Sequence, residues 1–277
     1  MVSPPSDQTG LAPVGEGRQD GGMTDTATTY DWLKPDDYLR HLRADTDRIL
    51  DVADDDLTAE VPLCPGWNVR DAVEHTGSVF SHKVAAMVGN ARPTDASQWS
   101  HGPAGHEDAM TWFRDRRDEL LATLESRGPS AASWSWHEDH QNAGFWFRRM
   151  AQEAAVHRVD VESGYGAVTP VDDVLAVDGI DEVLDWFLSY QAEDVGSDAP
   201  GRGTVAVRTG HRIWRLELQP DAVVVSREPG RAEAVVSGEP GELYLWLWGR
   251  RPDSAVVLEG DQDLLAGLRS RLTVVTQ

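Results

Sequence analysis

Residues Phe145–Asp160 read FWFRRMAQEAAVHRVD, a stretch that predicts a helix with both apolar and ionisable side chains. In an α-helix Glu153 and His157 project from one face, one turn apart, so a carboxylate and an imidazole can converge on one metal ion. The apolar neighbours predict that this helix is largely buried, and a buried Glu–His pair needs a partner. A Glu and a His four residues apart are more often a solvated pair or a helix-stabilising contact than metal ligands. The spacing alone therefore leaves both a metal site and such a pair open.

A second helix-like segment, Asn68–Gly77, supplies another imidazole at His75. Two ligands from one helix and one from a facing helix make a three-ligand site. Such a site leaves one coordination position for water or substrate, which is typical of catalytic rather than structural zinc. The candidate metal ligands are therefore His75, Glu153 and His157.

Composition restricts the classes of partner and compartment. The net charge of −22 and the pI near 4.6 argue against nucleic acid or an anionic membrane surface as a partner. No run of about 18 apolar residues occurs, so no membrane span is predicted. Cys64 is the only cysteine, which excludes an intramolecular disulfide and indicates a reducing cytoplasm.

Hydrophobic periodicity predicts a tail followed by a helical domain. Residues 1–29 are rich in Gly, Pro, Ser, Thr and Asp and lack the apolar core of a signal peptide, so a disordered tail is expected there. Residues 30–170 are predicted to form a four-helix bundle, in which facing inward side chains can build a metal site. Its predicted helices are Lys34–Ala53, Asn68–Asn90, Gly105–Ser126 and Asp139–Ser163.

The pattern changes after Pro170, and residues 171–277 are predicted to form a small α+β domain. A helix over Val171–Ala192 precedes four short alternating runs, whose turn signals indicate a meander of strands. A helix, a strand and a closing helix complete the domain. The predicted strands are 203–208, 211–218, 222–226, 232–237 and 255–258, and the later helices are 241–247 and 261–272.

Four stretches resemble one known family, the mycothiol-dependent maleylpyruvate isomerases of the DinB-like superfamily. Pro62–His75 is similar to the start of that family's second bundle helix, and Phe145–Asp160 to its fourth-helix signature. Val177–Leu184 and Leu245–Arg250 resemble later stretches of the same family. The likeness extends from about Tyr30 to the C-terminus, and it implies a DinB-type bundle followed by a sterol-carrier-like domain.

The resemblance also implies a site and a chemistry. His75, Glu153 and His157 match the family's three metal ligands, which implies a bound zinc, and mycothiol is the implied thiol cofactor. A free thiol has a pKa near 8.5, and a divalent metal with an open position deprotonates it. The thiolate then attacks an electrophilic carbon. An isomerase then eliminates the sulfur, whereas an S-transferase leaves it on the product. The sequence does not distinguish these two reactions.

Arg250 corresponds to an arginine of the family's C-terminal domain, and it is the predicted catalytic and cofactor-binding residue. A guanidinium there can clamp a carboxylate of the substrate or of the thiol cofactor with two hydrogen bonds. A surface arginine beside Arg251 is the alternative. We expect the C-terminal domain to close the mouth of the metal site, because pockets form preferentially where domains meet.

Predictions also follow for Cys64, Asp160 and four tryptophans. Cys64, at the entrance of a helix, is predicted to be packed and dispensable for the chemistry. Asp160 either hydrogen-bonds a ligand imidazole, fixing its tautomer, or is a plain carboxylate at a helix end. Core or pocket-lining positions are predicted for Trp67, Trp134, Trp136 and Trp146.

The predicted function is thus a zinc-dependent enzyme that uses mycothiol on a small electrophile, as a cis/trans isomerase or as an S-transferase. Two alternatives remain open: a non-catalytic small-molecule binding protein, and a metal-assisted hydrolase that uses water. The expected partners are a small substrate and a low-molecular-weight thiol, and the expected state is a cytoplasmic monomer.

Overall fold

A computed structural model describes residues 32–53, 56–103, 108–190 and 201–276. The tail predicted at residues 1–29 lies outside these ranges. The first part of the chain contains four long helices, which pack mainly as α1 on α4, α2 on α3 and α2 on α4. Their bounds are α1 Pro35–Ala53, α2 Val69–Gly89, α3 Ala109–Arg127 and α4 Ala143–Ser163.

Local capping explains where α2 begins. Asn68, where the predicted helix starts, is its N-cap and forms a complete capping box with Asp71: each side chain accepts a hydrogen bond from the other residue's backbone amide. The turn before it uses Gly66 at φ 89°, a conformation that favours glycine. This arrangement fixes the direction in which α2 leaves the loop, and therefore where His75 lies two turns later.

The fourth helix begins later than predicted. The prediction placed its start at Asp139, whereas α4 starts at Ala143 with Asn142 as N-cap. The preceding loop folds back on itself, because Ala132 forms an antiparallel bridge with Asn142. The side-chain amide of Gln141 also donates to the carbonyl oxygens of Ser135 and His137. The helix ends at Ser163 before Gly164, as predicted.

The rest of the chain combines helices with one sheet, which confirms the predicted α+β class with a helical bundle first. Helix α5, Asp173–Glu182, continues as a π-helical segment, Val183–Ser189. The later elements are β1 Gly203–Thr209, β2 Arg212–Leu218, β3 Val223–Ser226, β4 Ala234–Ser237, α6 Pro240–Leu247, β5 Val257–Gly260 and α7 Gln262–Val275. The domain division at residue 170 stays a prediction.

The meander predicted for the first four strands is found for three of them, and the prediction was wrong for the fourth. The sheet order is β3-β2-β1-β4-β5. Strands β1 to β3 are antiparallel neighbours, but β4 crosses to the other side of β1 and pairs with it in parallel, Val205 opposite Ala234. Turn residues specify where a chain reverses, but not which edge of a sheet the next strand joins.

Helix α4 is the centre of the molecule. Of its 21 residues, 18 are buried, including several charged ones. Arg148 pairs with Asp178 and Asp181 of α5 at 3.0 and 3.2 Å, and Arg158 pairs with Asp45 of α1 at 2.9 Å. These ion pairs satisfy charges that would be costly to bury alone, and they hold α4 against both α1 and α5. Within the described residues, no helix is long and apolar enough to cross a membrane.

Candidate metal centre

The three predicted ligands meet between α2 and α4. Glu153 Oε1 lies 3.2 Å from His157 Nε2 and 3.7 Å from His75 Nε2. One ligand atom from each residue can be chosen so that all lie within 4.8 Å of one another. Atoms bound to a tetrahedral zinc at about 2.0–2.2 Å are roughly 3.3–3.6 Å apart, so the two distances from Glu153 are close to those around such an ion. Among the described residues no other cluster of His, Cys, Asp or Glu has this character.

The triad is open on one side only. The side chain of His75 is 42% exposed, whereas Glu153 is 14% and His157 8% exposed. The indole ring of Trp67 stacks nearly parallel to the His157 ring, with centroids 6.3 Å apart, and lies 5.0 Å from the His75 ring. Trp67 therefore lines the site, which is one of the two positions predicted for it. A ligand can approach from the side of α2.

The two oxygens of Glu153 have different partners. Oε1 faces both imidazoles, while Oε2 accepts a hydrogen bond of 2.9 Å from Arg149 Nη2. Burial alone would raise the pKa of Glu153, but His157, His75 and Arg149 together hold it well below its usual value. Glu153 is thus an anion fixed in orientation, as a metal ligand must be. Arg149 was not among the predicted site residues, although it lies one helical turn before Glu153.

A carboxylate orients the ring of His157. Asp160 Oδ2 lies 3.0 Å from His157 Nδ1, so a proton on Nδ1 is held there and the lone pair of Nε2 is directed at Glu153 and His75. Burial would lower the pKa of His157, but without a metal Glu153 and Asp160 raise it to about 9. Of the two predictions for Asp160, the hydrogen bond to a ligand imidazole is the one found.

Arg250 reaches this same carboxylate. Its Nε and Nη2 donate to Asp160 Oδ1 and Oδ2, both at 3.0 Å, and its Nη1 donates to the carbonyl oxygen of Trp248 at 2.8 Å. Burial would raise the pKa of Asp160, but His157 and Arg250 lower it to about 2. The planar edge that could clamp a substrate carboxylate therefore already holds Asp160. The predicted contact of Arg250 with substrate or cofactor stays a prediction.

Cys64 contacts Arg250, which is paired with Asp160. Its Sγ accepts a contact of 3.4 Å from Arg250 Nη2. Burial, with the negative charge of Asp160, raises the pKa of the Cys64 thiol to about 12. Cys64 is therefore a neutral thiol at physiological pH, which is a poor nucleophile.

Two family models match this chain. The family model described as the mycothiol maleylpyruvate isomerase N-terminal domain matches residues 39–162, and the model of the corresponding C-terminal domain matches residues 174–267. No curated protein matches. A crystal structure of the mycothiol-dependent maleylpyruvate isomerase is similar, with a TM-score of 0.52 at 15% identity, over 83% of this chain and 95% of that one.

A second similar crystal structure is that of a histidine-to-alanine mutant of the mycothiol-dependent maleylpyruvate isomerase. It has a TM-score of 0.51 at 16% identity, with 83% of this chain and 95% of that chain covered. At such identities these structures show a shared fold, whereas the two family models together span most of the chain. The family is one of enzymes. The chain belongs to the mycothiol-dependent maleylpyruvate isomerase family.

Proposed function

We propose that this protein is a metal-dependent enzyme that uses mycothiol to isomerise a small electrophile across a cis double bond, as its family name indicates. The observation that carries the proposal is the convergence of His75, Glu153 and His157 in a site open on one side. S-transfer to a related electrophile is the second form of the same proposal. Zinc is the proposed metal, because two imidazoles and one carboxylate with a free position match catalytic zinc sites.

The residues of the chain divide the work of holding the metal. His75, Glu153 and His157 would bind it, and it would supply the positive charge that converts the thiol of mycothiol into a thiolate near neutral pH. Asp160 keeps the proton of His157 on Nδ1 so that Nε2 is free to bind. Arg149 keeps one oxygen of Glu153 occupied, so that the other faces the site.

The proposed reaction leaves the substrate's composition unchanged. The sulfur of the thiolate adds to one carbon of a cis double bond conjugated to a carbonyl group, and the electron pair moves onto the carbonyl oxygen. Rotation about the resulting single bond follows. The electron pair returns, the carbon–sulfur bond breaks and the trans product leaves with the thiolate regenerated. In an S-transferase a proton is added instead, and the sulfur stays on the product.

Arg250 has two proposed roles that the structure allows to be separated. In the first it binds a carboxylate of substrate or cofactor directly, for which it must release Asp160 or use the remaining hydrogen of Nη1. In the second it positions His157 through Asp160. We favour the second role, because the bidentate contact with Asp160 is complete without a ligand.

The proposal includes a cytoplasmic monomer divided near residue 170 into a bundle and a C-terminal domain. The single cysteine supports the compartment. The two family models support the division, since one ends at 162 and the next begins at 174.

The decisive experiment is metal analysis of the purified protein, followed by assays of maleylpyruvate isomerisation with and without mycothiol. Zinc near one equivalent, with turnover only when mycothiol is present, is the expected result. Turnover of a hydrolysable substrate without thiol would replace the proposal with a metal-assisted hydrolase. Protein that lacks metal even after zinc is added, and that binds ligand without turnover, would indicate a binding protein.

A further inference from the structure

Lys83 lies on the same helix as His75 and on the same face. It is one of only two lysines in the chain, the other being Lys34. His75, Val79 and Lys83 follow one another at intervals of four residues along α2, and all three are at least partly exposed, although their neighbour Phe80 is fully buried. A rise of 1.5 Å per residue separates the Cα atoms of His75 and Lys83 by about 12 Å. The exposed parts of these three residues therefore lie along one side of α2.

The ammonium group of Lys83 lies over aromatic rings. Its Nζ is 5.3 Å from the ring centroid of Trp146 and 5.9 Å from that of Trp136. These rings attract a cation through their negatively charged faces. The closest polar partner is His82 Nδ1 at 3.1 Å, where a neutral imidazole accepts one of the three N–H bonds. Two N–H bonds remain for another acceptor.

No carboxylate of the described residues lies within 4.0 Å of Lys83 Nζ, the distance at which ion pairs are counted. This distinguishes Lys83 from the buried cations of α4. Arg148, Arg149 and Arg158 each pair with at least one carboxylate. The chain has 47 acidic residues, yet none of the described ones forms an ion pair with this partly buried cation. The carboxylate of a bound ligand could therefore neutralise it.

The electrostatics of this region agree with that view. Burial lowers the pKa of Lys83 to about 8, and the negative charge of Glu153 opposes part of that change. The side chain is therefore mostly protonated at neutral pH, but its charge is poorly compensated. An anion that came within hydrogen-bonding distance would be bound strongly, since little water competes for the group.

We propose that Lys83 determines substrate specificity by binding a carboxylate at the end of the substrate remote from the carbon that the thiol attacks. The substrate class is then an elongated electrophile with an anionic terminus, lying along α2 from the triad towards Trp136 and Trp146. This inference rests on the proposed function for the attacked end of the substrate. The anion site itself requires neither metal nor turnover.

The first test uses the small number of lysines. Protein labelled with ¹³C at lysine Cε gives two signals, and exposed Lys34 serves as an internal control. Succinate is titrated as the probe, with succinamide as its uncharged counterpart. Succinate is expected to shift the Lys83 signal and raise its titration midpoint, while Lys34 stays unchanged and succinamide has no effect. Equal shifts of both lysines, or no shift of Lys83, would overturn the proposal.

The second test uses kinetics with metal content held equal. Lys83→Met is expected to raise KM for an anionic substrate about ten- to a hundredfold, with kcat changed only a few-fold and KM for an uncharged electrophile unchanged. Lys83→Arg should restore part of the loss, and Lys34→Met should behave as the wild type. Equal effects on anionic and uncharged substrates would count against the inference.

The two tests also separate this inference from the function on which it rests. If the wild type has no thiol-dependent turnover but succinate still shifts Lys83 alone, the anion site stands and the proposed reaction fails. If Lys83→Met does not fold, the signals of the wild-type protein decide the question.

Discussion

The two helices that supply the candidate metal triad hold their side chains in contrasting environments. On the α4 side, His157 is buried and held by Asp160, which Arg250 holds in turn with two hydrogen bonds. On the α2 side, His75 is substantially exposed, and its only ion-pair partner among the described residues is Glu153. One half of the site is therefore fixed before any ligand arrives, and the other half faces the solution.

The difference indicates how such a site combines precision with access. A fixed half holds part of the coordination geometry without a ligand, which lowers the cost of ordering when the metal binds. An exposed half leaves room for a bulky thiol and its substrate. Loss of a fixed residue should therefore affect metal affinity and folding together, whereas loss of an exposed one should affect mainly binding.

The largest effect is expected from His157→Ala. It removes a ligand and leaves Asp160 and Arg250 without their third partner, so metal and activity should be lost together, with zinc affinity lowered at least a thousandfold. His75→Ala should lose metal to a similar extent, but lower the free energy of unfolding less, because His75 is exposed. Zinc competition with a chelator and thermal unfolding measure both, with His211→Ala as the control. Full zinc occupancy in His157→Ala would refute the assignment.

A smaller effect on zinc affinity is expected from Asp160→Asn, which keeps the shape of the side chain but removes its negative charge. Zinc affinity should fall about ten- to a hundredfold, because the proton of His157 Nδ1 loses its carboxylate acceptor. The free energy of unfolding should fall by roughly 3 kcal/mol, because Arg250 is left as a buried cation without an anion. Asp118→Asn, an exposed substitution on α3, is the matched control. Unchanged zinc affinity would show that the buried half does not position the ligand.

Arg250→Lys and Arg250→Ala separate the two roles of that residue. If Arg250 acts through Asp160, both variants should lower zinc affinity about tenfold, and lysine should not rescue it, because it lacks the planar two-donor edge. The specificity constant should fall about a hundredfold. A rise of KM with zinc affinity unchanged would favour the direct contact with a substrate carboxylate. Zinc titration and steady-state kinetics on the same samples decide between them.

Lys83 is expected to affect how the free energy of unfolding changes with pH. The pKa of Lys83 falls from 10.5 to about 8 on folding, so the unfolded chain binds more protons between these values. Stability of the wild type should therefore gain from rising pH between about 8 and 10.5, by about 1–2 kcal/mol after allowance for partial exposure. Lys83→Met should lack this gain. Denaturant unfolding at pH 7.5 and 10.5 measures it, and parallel curves for the two proteins would contradict it.

The smallest effect is expected from Cys64→Ala. In the proposed function the cofactor supplies the reactive sulfur, and the Cys64 thiol is neutral, so turnover should be retained. The loss of the contact with Arg250 and of buried volume should cost about 1 kcal/mol of unfolding free energy. Cys64→Ser should restore the polar contact. Loss of turnover in a folded, zinc-loaded Cys64→Ala protein would show that the sulfur takes part in the chemistry.

Much of this site could be predicted because its information is local. Glu153 and His157 are four residues apart on one helix, so helix geometry alone brings them together. Their third partner, His75, was one candidate among nine histidines, and only the resemblance singled it out, because no spacing rule links residues on separate helices. The start of α2 could be predicted because asparagine is a favoured N-cap residue, and Asn68 follows the Pro65–Gly66 turn.

The remainder depends on contacts between residues distant in sequence. Arg250 and Asp160 are 90 residues apart, and nothing local indicates that the fork of one holds the carboxylate of the other. The start of α4 was misplaced because a loop pairs back on Asn142. The position of β4 beside β1 depends on which sheet edge was free, which the turn residues do not encode.

Helix α4 has a consequence for how the chain folds. It contributes ligands to the triad, and its arginines and Asp160 find their partners on α1, on α5 and beyond α6. With so few solvent-facing positions, it is stable only when elements from both ends of the sequence surround it. The two parts of the chain should therefore unfold in one transition, and the amide hydrogens of α4 should exchange last. A fragment ending at residue 170 would leave Arg148 without its carboxylates and Asp160 without Arg250, so the candidate metal centre depends on both parts of the chain.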